Sequence, residues 1–228
     1  MNEFLFFITI IESFAMSLAF YKLFGKTGLY AWIGIATIIT NLEVAKCVDM
    51  FGLSLTLGNV IYGSVFLCTD ILSEVYGGKE ARKGVLIGFV SMLVFVVMTQ
   101  TALWFEPNSQ DFINESMKQL FSLMPRMCIA SMLTYLVSNN LDTFTYDWIR
   151  KKFPKHLWLR NNGSTITSQL VDTVMFSILA FAGLYDVKTI IEISITSYII
   201  KIVIALCDTP FLYVARKIRK GDGDVEVL

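Results

Sequence analysis

The sequence predicts an all-α, polytopic membrane protein, a bundle of transmembrane helices without a separate soluble domain. Three observations predict this class. Of the 228 residues, 55% are hydrophobic and only 17% are charged, whereas soluble domains carry about a quarter charged residues. Apolar stretches of roughly 20 residues, enough to cross a bilayer, recur along the whole chain. The basic residues, finally, collect on alternate connections between these stretches.

Seven apolar stretches follow one another with short linkers, so we expect a single integral membrane domain over residues 1–228. The first stretch begins almost at Met1, with no basic segment before it and no small-residue cleavage site, which indicates a retained helix. Residues 106–120 have the spacing of a short amphipathic helix. The predicted spans are 4–23, 29–48, 55–75, 84–105, 123–144, 164–185 and 189–214.

Basic residues predict the orientation of these spans. Most of the 19 lysines and arginines follow spans one, three, five and seven. Basic connections face the cytoplasm, so we expect the N-terminus outside the cell membrane and the C-terminus inside. The residues that carry this expectation are Lys22, Lys26, Lys79, Arg82, Lys83, Arg150, Lys151, Lys152, Lys155, Arg160, Arg216, Lys217, Arg219 and Lys220.

Composition and motifs argue against several functional classes. The net charge is zero, so a general attraction to nucleic acid is not expected. The four cysteines are scattered and form no CxxC or Cys/His pattern, and we predict no metal site. Gly25-Lys26-Thr27 resembles the end of a P-loop, but Phe20 stands where that motif needs a glycine. We therefore expect no cofactor and no ATP hydrolysis by the chain itself.

Polar residues inside the spans are the candidates for function, because a charge at a helix centre costs about 3 kcal/mol. Asp70 and Glu74 lie four residues apart and therefore on one face of span three. Charges of both signs on several helices predict a polar cavity that binds a ligand; pairing between helices for stability is the alternative. The candidate substrate-binding residues are Asn41, Asp70, Glu74, Arg126, Asn140, Gln169, Asp172 and Lys201.

Glycines in span three leave two interpretations open. Gly58 and Gly63 fit close packing of helices, and they also fit a helix break beside a ligand. Their spacing of five does not match the GxxxG dimer pattern.

Three segments, in this order along the chain, resemble the queuosine precursor transporter family, also called the vitamin uptake transporter family. The resemblance extends over about residues 41–220 and rests on an Asp-x-x-x-Glu-x-x-Gly run and a later Gln-x-x-Asp-Thr run. It implies import of queuosine precursors, 7-deazaguanine bases or queuine, for tRNA modification. It also implies a six-helix core akin to the substrate-binding components of energy-coupling-factor transporters, with span one as an addition. The segments are FLCTDILSEVYGGKEARKG (66–84), RMCIASMLTYLVSNNLD (126–142) and STITSQLVDTVMFSILAF (164–181).

The side-chain chemistry suits such a ligand. A carboxylate can accept the adjacent N–H donors of a guanine-like base, amides and cations can bond its acceptors, and aromatic rings can stack on it. We expect Asp70, Gln169 and Asp172 to read the base, with Asn140 nearby and Lys201 balancing charge. Glu74 would neighbour the cavity or carry a coupling proton, and some family members have Arg at that position.

Two other functions remain as alternatives to a self-sufficient carrier. One is a ligand-capturing subunit that transports only with a partner ATPase. The other is an intramembrane enzyme whose two carboxylates share a proton, although the Gly-x-Gly-Asp motif of membrane aspartyl proteases is absent. The partners expected are a purine-like base and the lipid bilayer, with homodimerisation left open.

Overall fold

Helices make up nearly all of the chain. The computed structural model describes residues 1–153 and 157–221, except for the side chains at 139, 142–143, 146–147, 150, 157–162, 164–165, 205–206, 208–209, 212, 216 and 218–221. Several basic residues used to predict the orientation lie outside this description. The elements, in chain order, are α1 (Asn2–Glu43), β1 (Cys47–Met50), β2 (Leu53–Thr56), α2 (Gly58–Tyr76), α3 (Gly78–Leu103), α4 (Asn114–Phe121), α5 (Met124–Lys152), α6 (Leu157–Phe181) and α7 (Val187–Gly221).

Helix α1 is broken at Gly25, whose backbone has φ 58° and ψ −139°. Such a positive φ favours glycine, because a Cβ would be strained there. The two halves fold back on each other at this point: a Cβ on Gly28 would lie 2.0 Å from the Phe20 carbonyl oxygen. The Phe20 and Trp32 rings, one on each half, are 5.4 Å apart between centroids. The break falls in the linker predicted between spans one and two.

A β-hairpin between α1 and α2 corrects the all-α prediction. Strands β1 and β2 pair antiparallel, with Cys47 opposite Thr56 and Met50 opposite Leu53. The turn residues Phe51 and Gly52 both have positive φ, as two-residue hairpin turns often require. Hydropathy placed residues 47–48 and 55–56 at the ends of spans 29–48 and 55–75, whereas the structure gives them to the two strands.

Contacts place the helix ends alternately at two ends of the bundle. At the hairpin end, Asn2 Nδ2 donates to the Asp49 carbonyl oxygen at 2.9 Å, and Val44 packs in one cluster with Met127, Phe181 and Ile193. At the other end, which we call the basic end, Lys26 beside the α1 break pairs with Glu80 at 3.4 Å. The chain therefore runs back and forth between these two ends.

Glycines 58 and 63 serve close packing, which decides between the two interpretations left open by the sequence. A Cβ on Gly58 would lie 2.5 Å from the Thr40 carbonyl oxygen of α1, and one on Gly63 would lie 2.2 Å from the Ile204 side chain of α7. Gly58 is the first residue of α2 and Gly63 lies within that helix, so neither breaks it. Helix α2 is thus held against α1 and α7.

In the part of the chain that the structure describes, three helices are long and apolar enough to cross a membrane: Asn2–Glu43, Gly78–Leu103 and Asn114–Ser138. The first has 42 residues, about twice the length needed for one span. Ile166–Phe181 is apolar but shorter. Helices α2, α6 and α7 carry Asp70, Asp172 and Lys201, whose charge lowers their hydropathy.

Candidate functional site

A cavity of about 460 Å³ lies between six helices of the bundle. We call it the central cavity. Its wall comes from the second half of α1, from α2, α3, α5 and α6, and from Lys201 of α7. The first half of α1, which is fully described, contributes no residue, since the wall begins at Ile33. The volume falls in the range of about 300–1,000 Å³ that is usual for small-molecule sites.

A nearly buried ion pair joins two of the predicted site residues in this wall. Lys201 Nζ lies 2.6 Å from Asp172 Oδ2, and the two side chains are 12% and 21% exposed. Lys201 also donates to Thr173 Oγ1 at 3.1 Å, and Ser138 Oγ donates to Asp172 Oδ1 at 3.1 Å. These bonds offset part of the cost of removing both charges from water. They also tie α5, α6 and α7 together along one side of the cavity.

The neighbouring α2 wall carries Asp70, Asn59 and Tyr62. Asn59 Nδ2 donates to Ser197 Oγ at 2.7 Å, which joins α2 to α7 beside the cavity. Asp70 lines the cavity and is also exposed, so it lies where the cavity meets the surface.

Glu74 does not lie in the cavity wall and is exposed. Four residues along a helix correspond to about 6 Å along the axis and about 40° of rotation. Glu74 is therefore one turn closer to the basic end than Asp70. Its role in binding or proton coupling stays a prediction without support from its position.

Asn41 and Gln169 are also in the wall, which brings together five of the eight predicted residues. Asn41 is buried at the end of α1, and its Nδ2 donates to the Thr37 carbonyl oxygen at 2.8 Å.

Arg126 and Asn140 are absent from the wall. Arg126 Nε donates to the Leu179 carbonyl oxygen at 2.8 Å, and its Nη2 donates to that of Ala182 at 2.5 Å. It thereby satisfies carbonyls that the end of α6 leaves without helical partners. Asn140 is exposed and donates to the Leu136 carbonyl oxygen of its own helix at 2.6 Å. Arg126 thus connects α5 to the end of α6, and Asn140 bonds within α5. Neither side chain lines the cavity.

Aromatic side chains in the wall were not individually predicted. Phe89 and Tyr135 form an edge-to-face pair at 4.9 Å, and Tyr62 and Phe66 form another at 4.8 Å. Phe176 completes this apolar part of the cavity. A flat ligand could stack on such rings. With aromatics at 14% of the chain, the sequence offers no signal that separates these five from those facing lipid.

A second polar cluster lies at the basic end, outside the cavity. Tyr30 donates a hydrogen bond to the Glu80 carboxylate, which also pairs with Lys26. The Tyr30 hydrogen bond, followed by the bond and charge of Lys26, lowers the pKa of Glu80. The cluster joins the residues after the break in α1 to the start of α3. Helix α3 begins directly after the α2–α3 turn at Gly77.

Comparison with known proteins identifies relatives over most of the chain. A family model described as "Putative vitamin uptake transporter" matches residues 56–215. A "Probable queuosine precursor transporter" of Bacillus subtilis (strain 168) is 44% identical over 223 residues, which cover 97% of each chain. The "Queuosine precursor transporter" of Escherichia coli (strain K12) is 24% identical over 170 residues, 73% of this chain and 75% of the relative.

A third relative, a "Probable queuosine precursor transporter" of Haemophilus influenzae, is 27% identical over 145 residues, 63% of this chain and 59% of the relative. No solved structure matches the chain.

Proposed function

This chain belongs to the vitamin uptake transporter family, and from that membership we propose that it imports queuosine precursors, bases of the 7-deazaguanine type, through the central cavity. The family is one of transporters and not of enzymes. The relatives named as queuosine precursor transporters support the substrate class. The observation that carries the proposal is that Asp172, Gln169 and Lys201 lie together with an aromatic wall inside the helix bundle.

Each part of the cavity matches one part of such a base. Carboxylate oxygens of Asp172 and Asp70 can accept the ring and exocyclic N–H groups, and the Gln169 amide can bond on the same edge. Lys201 compensates the charge of Asp172 in the cavity wall and can donate to a ligand carbonyl. The Phe89–Tyr135 and Tyr62–Phe66 pairs offer ring faces or edges to the flat heterocycle. Asn41 lines the cavity near the end of α1 that leads into the hairpin.

We further propose seven spans, with α1 contributing two of them on either side of Gly25 and α2, α3, α5, α6 and α7 one each. The six helices around the cavity are the core, and the first half of α1 is the addition. The alternation of chain ends between the hairpin end and the basic end supports this count. The positive residues near the basic end support a cytoplasmic location for it, with the N-terminus outside.

Cysteine accessibility tests this orientation. Cys47 is exposed in the hairpin, whereas Cys68 and Cys128 are buried. In intact cells, we expect a membrane-impermeant maleimide to label the wild-type chain, and we expect Cys47→Ser to remove that labelling. Labelling of Cys47 only after the cells are opened would place the hairpin end in the cytoplasm and contradict the proposed orientation.

Reconstitution tests the function itself. Purified full-length chain in liposomes, without any other protein, should take up tritiated 7-deazaguanine. Binding without uptake would instead favour a capturing subunit that needs a partner ATPase. A folded protein that neither binds nor transports the base would overturn the proposed substrate class.

A further inference from the structure

We propose that two hydroxyl groups which no sequence pattern singles out, those of Thr40 and Thr134, bind the substrate in the central cavity together with Gln169 Oε1. This inference rests on the proposed function and specifies which side chains recognise the base. Thr40 belongs to α1, Thr134 to α5 and Gln169 to α6, so the three groups approach one cavity from three helices.

The three oxygens share an unusual property. Among the side chains that the structure describes, they are the buried polar atoms without a hydrogen-bond partner: Thr40 Oγ1, Thr134 Oγ1 and Gln169 Oε1. Thr40 is 6% exposed and Thr134 is 2% exposed. All three residues line the central cavity. Buried polar atoms in proteins nearly always have a hydrogen-bond partner. Three unpaired oxygens at one cavity therefore indicate that a molecule bound there supplies the partners.

The helical positions of Thr40 and Thr134 do not explain why their hydroxyls have no hydrogen-bond partner. A threonine inside a helix can donate to the carbonyl three or four residues earlier. Thr37, one turn before Thr40 in the same wall, donates to the Ile33 carbonyl oxygen at 2.7 Å, and Thr173 donates to that of Gln169 at 2.8 Å. Thr40 and Thr134 have the same option and do not use it. Their hydroxyls thus remain available to a molecule in the cavity.

The ion pair in the same wall is already engaged. Asp172 accepts bonds from Lys201 and Ser138, and Lys201 also bonds Thr173. New hydrogen bonds to a ligand are therefore formed at least cost by Thr40, Thr134 and Gln169. A hydroxyl can donate and accept, whereas Gln169 Oε1 can only accept. The three groups together suit a ligand with at least one N–H donor and at least one acceptor, as on the edges of a 7-deazaguanine.

Specific roles follow from this chemistry. Gln169 Oε1 receives an N–H of the base, which we assign to the exocyclic amine. The Thr40 and Thr134 hydroxyls, one on α1 and one on α5, bond its carbonyl oxygen and ring nitrogens. An analogue that lacks the amine leaves Gln169 Oε1 unpaired. The free-energy cost of this unpaired oxygen weakens binding of the analogue and so makes the protein selective for the base with the amine.

Binding of tritiated 7-deazaguanine to the purified full-length protein tests the assignment. Thr40→Val and Thr134→Val remove a hydroxyl at nearly constant shape. Thr37→Val is the matched control, because it changes the same cavity wall at a hydroxyl that is already bonded. We expect each of the first two changes to weaken binding about tenfold or more, and the control to stay within about twofold of wild type.

Thermal unfolding without ligand separates binding from a structural role. Valine leaves no unpaired hydroxyl, so Thr40→Val and Thr134→Val should unfold at the same temperature as wild type or above it. Gln169→Leu should also lose the preference of the wild-type protein for 7-deazaguanine over 7-deazahypoxanthine, which lacks the amine.

The outcomes are distinguishable. If Thr40→Val, Thr134→Val and Thr37→Val all bind 7-deazaguanine as tightly as the wild-type protein does, this inference is overturned and the proposed function stands. A wild-type protein that unfolds cooperatively and binds no 7-deazaguanine overturns the proposed function, and the inference with it.

Discussion

Replacing Lys201 by Met should destabilise the protein by about 3–5 kcal/mol and abolish uptake, the largest effect expected of any single change. Met keeps much of the length of Lys but removes its charge, so the Asp172 carboxylate loses the cation 2.6 Å away. With Asp172 only 21% exposed, solvent replaces that partner only in part.

The double variant Lys201→Met/Asp172→Leu is the control for this prediction. Removing both charges leaves no unpaired ion, so most of the lost stability should return. Uptake should not return, because the carboxylate proposed to read the base is gone. The measurement is chemical unfolding in detergent micelles beside tracer uptake in liposomes. A double variant as unstable as Lys201→Met would show that the pair is not the cause of the loss.

Gly58→Ala should also be strongly destabilising, by about 1–3 kcal/mol, although alanine is otherwise the better helix former. The new methyl group would lie 2.5 Å from the Thr40 carbonyl oxygen and 2.3 Å from Val44 Cγ2. The carbonyl belongs to the backbone of α1 and cannot rotate away, so the two helices must separate. Because both line the central cavity, we expect uptake to fall as well.

Gly78→Ala is the matched control. Gly78, like Gly58, is the first residue of its helix, but a Cβ there would meet no atom within 4 Å. Unfolding of both variants under the same detergent conditions gives the comparison. Equal stability of Gly58→Ala and Gly78→Ala would mean that the close approach of α1 and α2 is not needed.

The sequence predicted the mostly helical architecture, and it singled out five residues that the structure places in one cavity wall. Charges are costly in a membrane, so Asp172 and Lys201 stood out in their apolar helices, and the structure places them in contact. The same reasoning singled out Arg126, which is half-buried, lies outside the cavity wall and donates to carbonyls at the end of α6. Sequence alone does not distinguish these two uses of a charge.

Other features depend on contacts that no local pattern encodes. The hairpin at 47–56 was missed because its apolar residues resemble the ends of two spans. Asp70 and Glu74 share a helical face, yet only Asp70 reaches the cavity, since the cavity ends within one helical turn of it. Thr40 and Thr134 look like any threonine in a membrane helix until the hydrogen bonds of their neighbours are known.

We propose that Asp70 and Asp172 in one cavity recognise a 7-deazaguanine base during transport. Uptake of tritiated 7-deazaguanine into proteoliposomes containing wild type, Asp70→Ala or Asp172→Ala tests it most directly, with equal amounts of folded protein confirmed by size-exclusion chromatography. We expect uptake by wild type and its loss in both variants, while both remain folded in the membrane. Normal uptake by the two variants would contradict the account.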